Sequence, residues 1–235
     1  MFYINFNNSS NTDFNLKVEH RPNVPTPQRD IRFTPIDGRY SGSLTEDMGT
    51  YGDIEISIDF SGVYQDNFFD TLRQIKKWLI GNINDNSLSF SDDDGYFYKV
   101  KKVSIDKDIE RKLKVLGRFS AVFVCEPYLY EAGHVLSYTT STQKTIYNDG
   151  YVSEPIIKVY GTGNITITLN NKNIYLTNIV DYIILDSIAQ IATKGTVRMD
   201  NNVLGDYPLF LAGNNTISWT GAVSKIEITP NWRYL

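Results

Sequence analysis

Asp92, Asp93 and Asp94, three acids in a row ahead of Gly95, are the residues whose type most suggests chemistry, because clustered carboxylates are what a hard cation binds. A calcium EF-hand loop takes ligands at alternate positions, a glycine at the sixth and a glutamate at the twelfth. Counted from Asp92, those two positions hold Phe97 and Ser104, so the pattern fails. The run reads instead as a solvated hairpin tip between strands at 87–91 and 96–103, with Gly95 supplying a positive φ. Nucleophilic catalysis would need a base beside Cys125, the single cysteine, and the candidates are His20 and His134. Cys125 shares an alternating face with Phe119 and Phe123, the position of a small buried hydrophobe with an inert thiol. No Gly-x-Ser-x-Gly elbow occurs, and Gly161-Thr-Gly163 lacks the third glycine and following helix of a dinucleotide loop. The 27 acids leave a converging carboxylate pair open. Trp219 and the 16 tyrosines could stack on sugar rings, although aromatics in β proteins usually pack. The expectation is no enzyme: no catalytic, cofactor-binding or metal-binding residues and no cofactor.

Composition narrows the partners. The chain has 235 residues, enough for one large β domain or two of ordinary size. Its net charge of −4 offers no general attraction to phosphate backbones, so specific nucleic-acid binding is not expected. Met1-Phe-Tyr-Ile-Asn-Phe-Asn lacks the basic and apolar regions of a secretory signal, and no apolar run approaches membrane-spanning length. Synthesis and folding in a cytosol, without membrane association, are the expectation. One cysteine excludes an internal disulfide.

The elements that would position these residues are mostly strands. Phe2, Ile4 and Phe6 alternate with polar residues, as do Ile54, Ile56, Ile58 and Phe60, and then Phe119, Ala121, Phe123 and Cys125. Period two of this kind marks half-buried strands. Between Arg21 and Gly52 the pattern dissolves into Pro22, Pro25, Pro27 and Pro35, then Gly38, Gly42, Gly49 and Gly52, which reads as a long loop. The period changes once. Phe68, Leu72, Ile75 and Leu79 fall on one helical face, with Phe69 and Trp78 beside it, Asp66 as N-cap and Gly81 as stop. The stripe is read as core.

Residues 1–130 carry 16 Lys/Arg and 19 Asp/Glu, whereas 131–235 carry 7 and 8. The shift falls near Pro127 and Gly133, so domains are expected at 1–133 and 134–235. In the second, a strand Pro155–Tyr160 stops at Gly161 and Gly163, and another follows in which Ile165, Ile167 and Leu169 alternate with polar residues. Turns at Asn170-Asn171, Asp200–Asn202, Gly213–Asn215 and Thr220-Gly221 space short strands evenly, the pattern of a sandwich or jelly roll.

A set of ordered pieces then adds a resemblance. They are Asp37-Gly38, Ile54–Phe60, Asp70–Leu79, Leu88–Asp92, Gly95–Tyr98 and Gly117–Tyr128, followed by Asn148–Gly150, Ser153–Pro155, Val159–Gly163, Asn214–Ser218 and Pro230–Arg233. In this order and spacing the chain resembles the distal tail proteins (Dit) of long-tailed siphophages over nearly its whole length. The resemblance implies a mainly β fold: an N-terminal tail-tube-like β domain with one α-helix, and a C-terminal galectin-like β-sandwich. It implies a homohexameric ring at the virion tail tip, joining the major tail tube protein to a tail-associated lysin or tip protein and other baseplate proteins. DNA would only pass through the lumen. A carbohydrate-binding tail adhesin, suggested by the aromatic-rich second domain, stays open as the alternative.

Overall fold

The computed structural model describes residues 2–38, 43–62, 68–105 and 117–235, and the expected N-cap Asp66 lies outside them. The chain divides into two compact units, one reaching Leu129 and the other spanning Tyr130–Tyr234. The division falls inside a strand, whereas the shift in composition had pointed to the turn at Gly133.

In the first unit the elements are β1 (Ile4–Phe6), β2 (Ser9–Ser10), a 3₁₀ turn (Asn11–Phe14), β3 (Leu16–Val18), β4 (Arg29–Pro35), β5 (Ser43–Tyr51), β6 (Ile54–Gly62), α1 (Phe68–Ile80), β7 (Ser87–Phe90), β8 (Tyr96–Ile105) and β9 (Gly117–Glu131). The main sheet runs β2-β1-β7-β8-β9-β6-β3. At its heart the two clearest alternating patterns are paired residue against residue. Ile54 is opposite Cys125, Ile56 opposite Phe123, Ile58 opposite Ala121 and Phe60 opposite Phe119. Because cross-strand partners share a face, both apolar rows point into one core. The Phe60 and Phe119 rings stack with centroids 5.2 Å apart.

The single described helix covers that face. Ile75, Trp78 and Leu79 are buried, and Trp78 Nε1 donates to the Phe6 carbonyl at 2.7 Å. Leu72, expected in the stripe, is only half-buried, and Phe69 is exposed. The buried face is therefore the C-terminal half of the helix, where the Trp78 ring meets Phe6, Phe14 and Phe60. The helix ends at Ile80, and the backbone at Gly81 accommodates glycine closely, since a Cβ there would lie 2.3 Å from the Lys77 carbonyl oxygen. Asn11, buried and polar, is hydrogen-bonded at both ends of its amide: its Oδ1 accepts from Ile4 N–H and its Nδ2 donates to the Leu16 carbonyl.

The second unit holds β10 (Leu136–Tyr138), β11 (Lys144–Asn148), β12 (Ile156–Leu169), β13 (Lys172–Ile179), β14 (Tyr182–Asp186), β15 (Ile191–Lys194), β16 (Val197–Arg198), β17 (Val203–Leu204), β18 (Gly213–Thr229) and β19 (Arg233–Tyr234). Two of these strands are unusually long, 14 residues in β12 and 17 in β18, and they pair antiparallel along nearly their whole length. The N-terminal part of β12 also pairs β14, and its C-terminal part pairs β13. The first part of β18 pairs β11 and its last part β10. One continuous ladder thus serves two sets of neighbours, and the apolar residues of both halves enter one core.

That ladder corrects the expected strand ends. Gly161 and Gly163 do not stop a strand, and Thr220-Gly221 is no turn; both lie where the shared pair shifts register and bends. Glycine is required there by close approach. A Cβ on Gly161 would sit 2.4 Å from the Ala222 carbonyl oxygen, and one on Gly221, at φ +102, would sit 2.5 Å from that of Asn164. Gly213–Asn215 likewise opens β18, and Asp200–Asn202 forms a short 3₁₀ turn. Asn170-Asn171 does turn the chain between β12 and β13, both residues having positive φ.

Ile75→Ala is expected to lower unfolding free energy by about 2–5 kcal/mol, and Leu72→Ala by clearly less. Gly161→Ala and Gly221→Ala should each cost about 1–3 kcal/mol through backbone crowding. Urea melts of the four variants check the order. A neutral Gly161→Ala would show that the ladder bends without needing the glycine.

Candidate assembly interface

The long segment expected as a loop contains an antiparallel ribbon of β4 and β5, hydrogen-bonded to each other and not to the main sheet. Alternation is present in Ile31 and Phe33, but no core lies beneath it, so the proline and glycine content hid the strands. Arg29 pairs with Tyr51, and after an irregularity Ile31 pairs with Asp47, Phe33 with Thr45 and Pro35 with Ser43. Its base is fixed by a two-pronged ion pair: Arg29 Nε donates to Asp47 Oδ1 at 3.0 Å and Nη2 to Oδ2 at 2.6 Å. Gly49 N–H also donates to Asp47, and this bond, followed by the Arg29 contact, holds the Asp47 carboxyl below its ordinary pKa. Thr50 Oγ1 donates to Asp30 across the ribbon at 2.8 Å.

The two ribbon faces differ. Ile31, Phe33 and Pro35 line one side, and Arg32 faces Glu46 on the other. Phe33 is 64% exposed, Met48 54% and Ile31 43%. A two-stranded ribbon is marginal alone in water, and one with an uncovered apolar row gains stability by packing that row against another surface. This geometry supports protein–protein docking and β-pairing.

The residues singled out for chemistry are dispersed. Asp92–Asp94 form the β7–β8 hairpin tip, where Asp92 pairs with Arg21 at 2.6 Å and Gly95 has φ +85. No group of three potential ligands capable of holding a metal occurs among the described residues. Cys125 is fully buried, its thiol pushed up to about 12, first by desolvation and then by Asp53 and Glu126. His20 is exposed, and His134 Nδ1 lies 3.0 Å from Glu131 Oε1. Trp219, the proposed sugar platform, is 3% exposed and belongs to the core. A cavity of about 410 Å³ lies between Leu169, Ile174, Tyr207, Leu209 and Leu211, with Lys172 and Asp206 at its border. It holds no nucleophile–base pair.

No family model matches the sequence, and no curated protein matches it. Solved structures do match the fold. The Dit protein of phage SPP1, described as a paradigm of the hub adsorption apparatus in phages that infect Gram-positive hosts, superposes over 100% of both chains with a TM-score of 0.74 at 15% identity. The fold is Dit-like. Two structures of the phage P2 baseplate in its activated conformation, with Ca and with Sr, match at TM-scores of 0.52 and 0.51, with 10% and 11% identity and 98% of each chain covered. At such identities the likeness to Dit and baseplate chains is one of fold, and it runs through both units.

The inert thiol is testable. Native protein should leave Cys125 unmodified by an aromatic disulfide reagent at neutral pH, and denaturant should expose it to full reaction. Because burial raises the thiol pKa, the unfolded chain ionises first, so stability falls as pH rises from the ordinary value of 9.0 toward about 12. Cys125→Ala should make that alkaline slope shallower by up to about 1.4 kcal/mol per pH unit, read from denaturant melts across the range.

Proposed function

We propose that this chain is the hub of a phage-type tail tip, a structural virion protein without catalytic activity. Copies close into a hexameric ring that joins the major tail tube protein to the tail-associated lysin or tip protein and other baseplate proteins. The observation that carries this reading is the match to the SPP1 Dit hub over the full length of both chains. The portion 1–133 forms the ring and the portion 134–235, a galectin-like module, sits outside it and docks partners. The protein is made in the host cytoplasm and reaches the virion by assembly. No described helix is long and apolar enough to cross a membrane.

The β4–β5 ribbon is the ring-forming element in this proposal. A ring needs a heterologous contact repeated about an axis, and a permanent one typically buries more than about 2,000 Å² with apolar content. Ile31 and Phe33 offer an apolar row for a neighbouring copy, and the free ribbon edges offer strand pairing. The net charge of −4 limits adhesion of DNA travelling through a lumen. The adhesin alternative rested on exposed aromatic stacking, and burial of Trp219 removes its leading candidate.

Phe33→Asp is expected to abolish ring closure, read by mass photometry of the chain mixed with its tube protein, while leaving the thermal melt unchanged. A cryo-EM map of the assembled tail tip checks the whole reading. Finding the chain as a trimer, or away from the central channel, would sink it.

A further inference from the structure

The outer face of the second unit's sheet gathers three lysines around two tyrosine rings. Tyr160 in β12 lies directly opposite Tyr182 of β14 on one side and Lys225 of β18 on the other. Lys158, two positions earlier on the same face, lies opposite Glu227. The rings are 6.1 Å apart, and Lys158 Nζ is 4.6 Å from the centroid of each. Lys225 Nζ stands 5.3 Å from the Tyr160 ring and Lys194 Nζ 5.6 Å from the Tyr182 ring. Residues 131–235 have only seven Lys/Arg, so three of the seven meet here.

Like charges crowded on one sheet face destabilise it, so packing alone does not explain the arrangement. Two of the three are neutralised nearby: Lys225 by Glu227 at 2.5 Å and Lys194 by Asp181 at 4.0 Å. Tyr160 also donates its hydroxyl to Glu227 at 2.7 Å, and that carboxylate attracts Lys158 as well as Lys225, one negative charge shared between two ammonium groups. Lys158 has no carboxylate within ion-pair distance among the described residues. It is held between the rings, a positioned cation on an acidic chain.

We infer that this face is a docking surface for an acidic segment of a partner polypeptide, with Lys158 taking one carboxylate and Lys194 and Lys225 flanking it. Charge complementarity selects the occupant, and the surroundings favour carboxylates over other anions. Geometrically specific phosphate recognition draws on arginine forks or free backbone N–H groups, and lysine adds only a point charge that serves a carboxylate equally well. The cluster contains no arginine, and β12 is paired on both sides here, so its N–H groups are spent in the ladder. A neutral sugar would need an open ring face, and the ammonium of Lys158 covers both rings. A test of this surface needs no hexameric ring and can be run on the chain in any oligomeric state.

The test titrates the full-length protein with poly-L-glutamate by calorimetry at low salt, with sodium polyphosphate as the competing anion. Saturable binding is expected, weakened about fivefold or more by Lys158→Gln and reduced by added salt. Lys172→Gln, an exposed lysine of the same unit, should change it by less than about twofold. Equal losses in the two variants, or no saturable binding, would overturn the proposal. Tighter, Lys158-dependent binding of polyphosphate would reassign the surface to a phosphate polymer and overturn the polypeptide occupant. A lower melting temperature for Lys158→Gln with unchanged poly-L-glutamate affinity would show that the lysine only braces the sheet.

Discussion

A β-strand with one apolar face must have that face covered, and this requirement organises the chain. In the first unit the cover comes from pairing β6 and β9 so that Ile54–Phe60 and Phe119–Cys125 face the same way, then laying Ile75, Trp78 and Leu79 of the helix across them. In the second it comes from bending one long strand pair so that its own two halves, with their neighbours, enclose the core. The bend is possible because Gly161 and Gly221 let each backbone come within reach of the other. Against this background the β4–β5 ribbon is conspicuous, since its apolar row has no such cover. The ribbon is therefore where covering from outside the chain would yield most.

Much of this was legible in the sequence because period two carries register as well as strand identity. Ile54–Phe60 and Phe119–Cys125 could be picked out individually, and the structure sets them opposite each other. The helix was legible from its change of period, although which turns it buries depends on where Phe6 and Phe60 place the indole of Trp78. Three features were hidden. The bend in β12 and β18 was concealed because glycine is a turn signal and a bulge signal at once, and only the partner strand decides between them. The ribbon was concealed by its prolines and glycines. The lysine–tyrosine cluster joins residues 158, 160, 182, 194 and 225, which no local pattern connects.

The dispersal of chemically capable side chains bears on function as much as the fold does. Cys125 is in the core, the histidines sit elsewhere, and the acidic run is a hairpin tip tied to Arg21. What the surface offers in their place is an exposed apolar row on the ribbon of one unit and a lysine–tyrosine cluster on the sheet of the other. The two differ in physical character. Apolar burial with strand pairing gives contacts that are large and slow to part, as a closed ring requires. Charge pairing steers encounter and depends on salt, as would suit attachment of a partner to an assembled ring.

These properties also fit the uneven distribution of charge along the sequence. The first 130 residues hold 16 of the 23 basic groups together with 19 of the 27 acids, so surfaces there can match charge to charge at many points. The second unit is poorer in both, with seven and eight, and spends three of its seven cations in one place. A face meant only to stay soluble gains nothing from such clustering, because dispersed charges serve that end without mutual repulsion. Concentration on Tyr160 and Tyr182, rings placed side by side by the β12–β14 register, makes the cationic site a consequence of the same ladder that bends to enclose the core. One strand pair thus supplies both the stability of the second unit and the surface through which it would meet a partner.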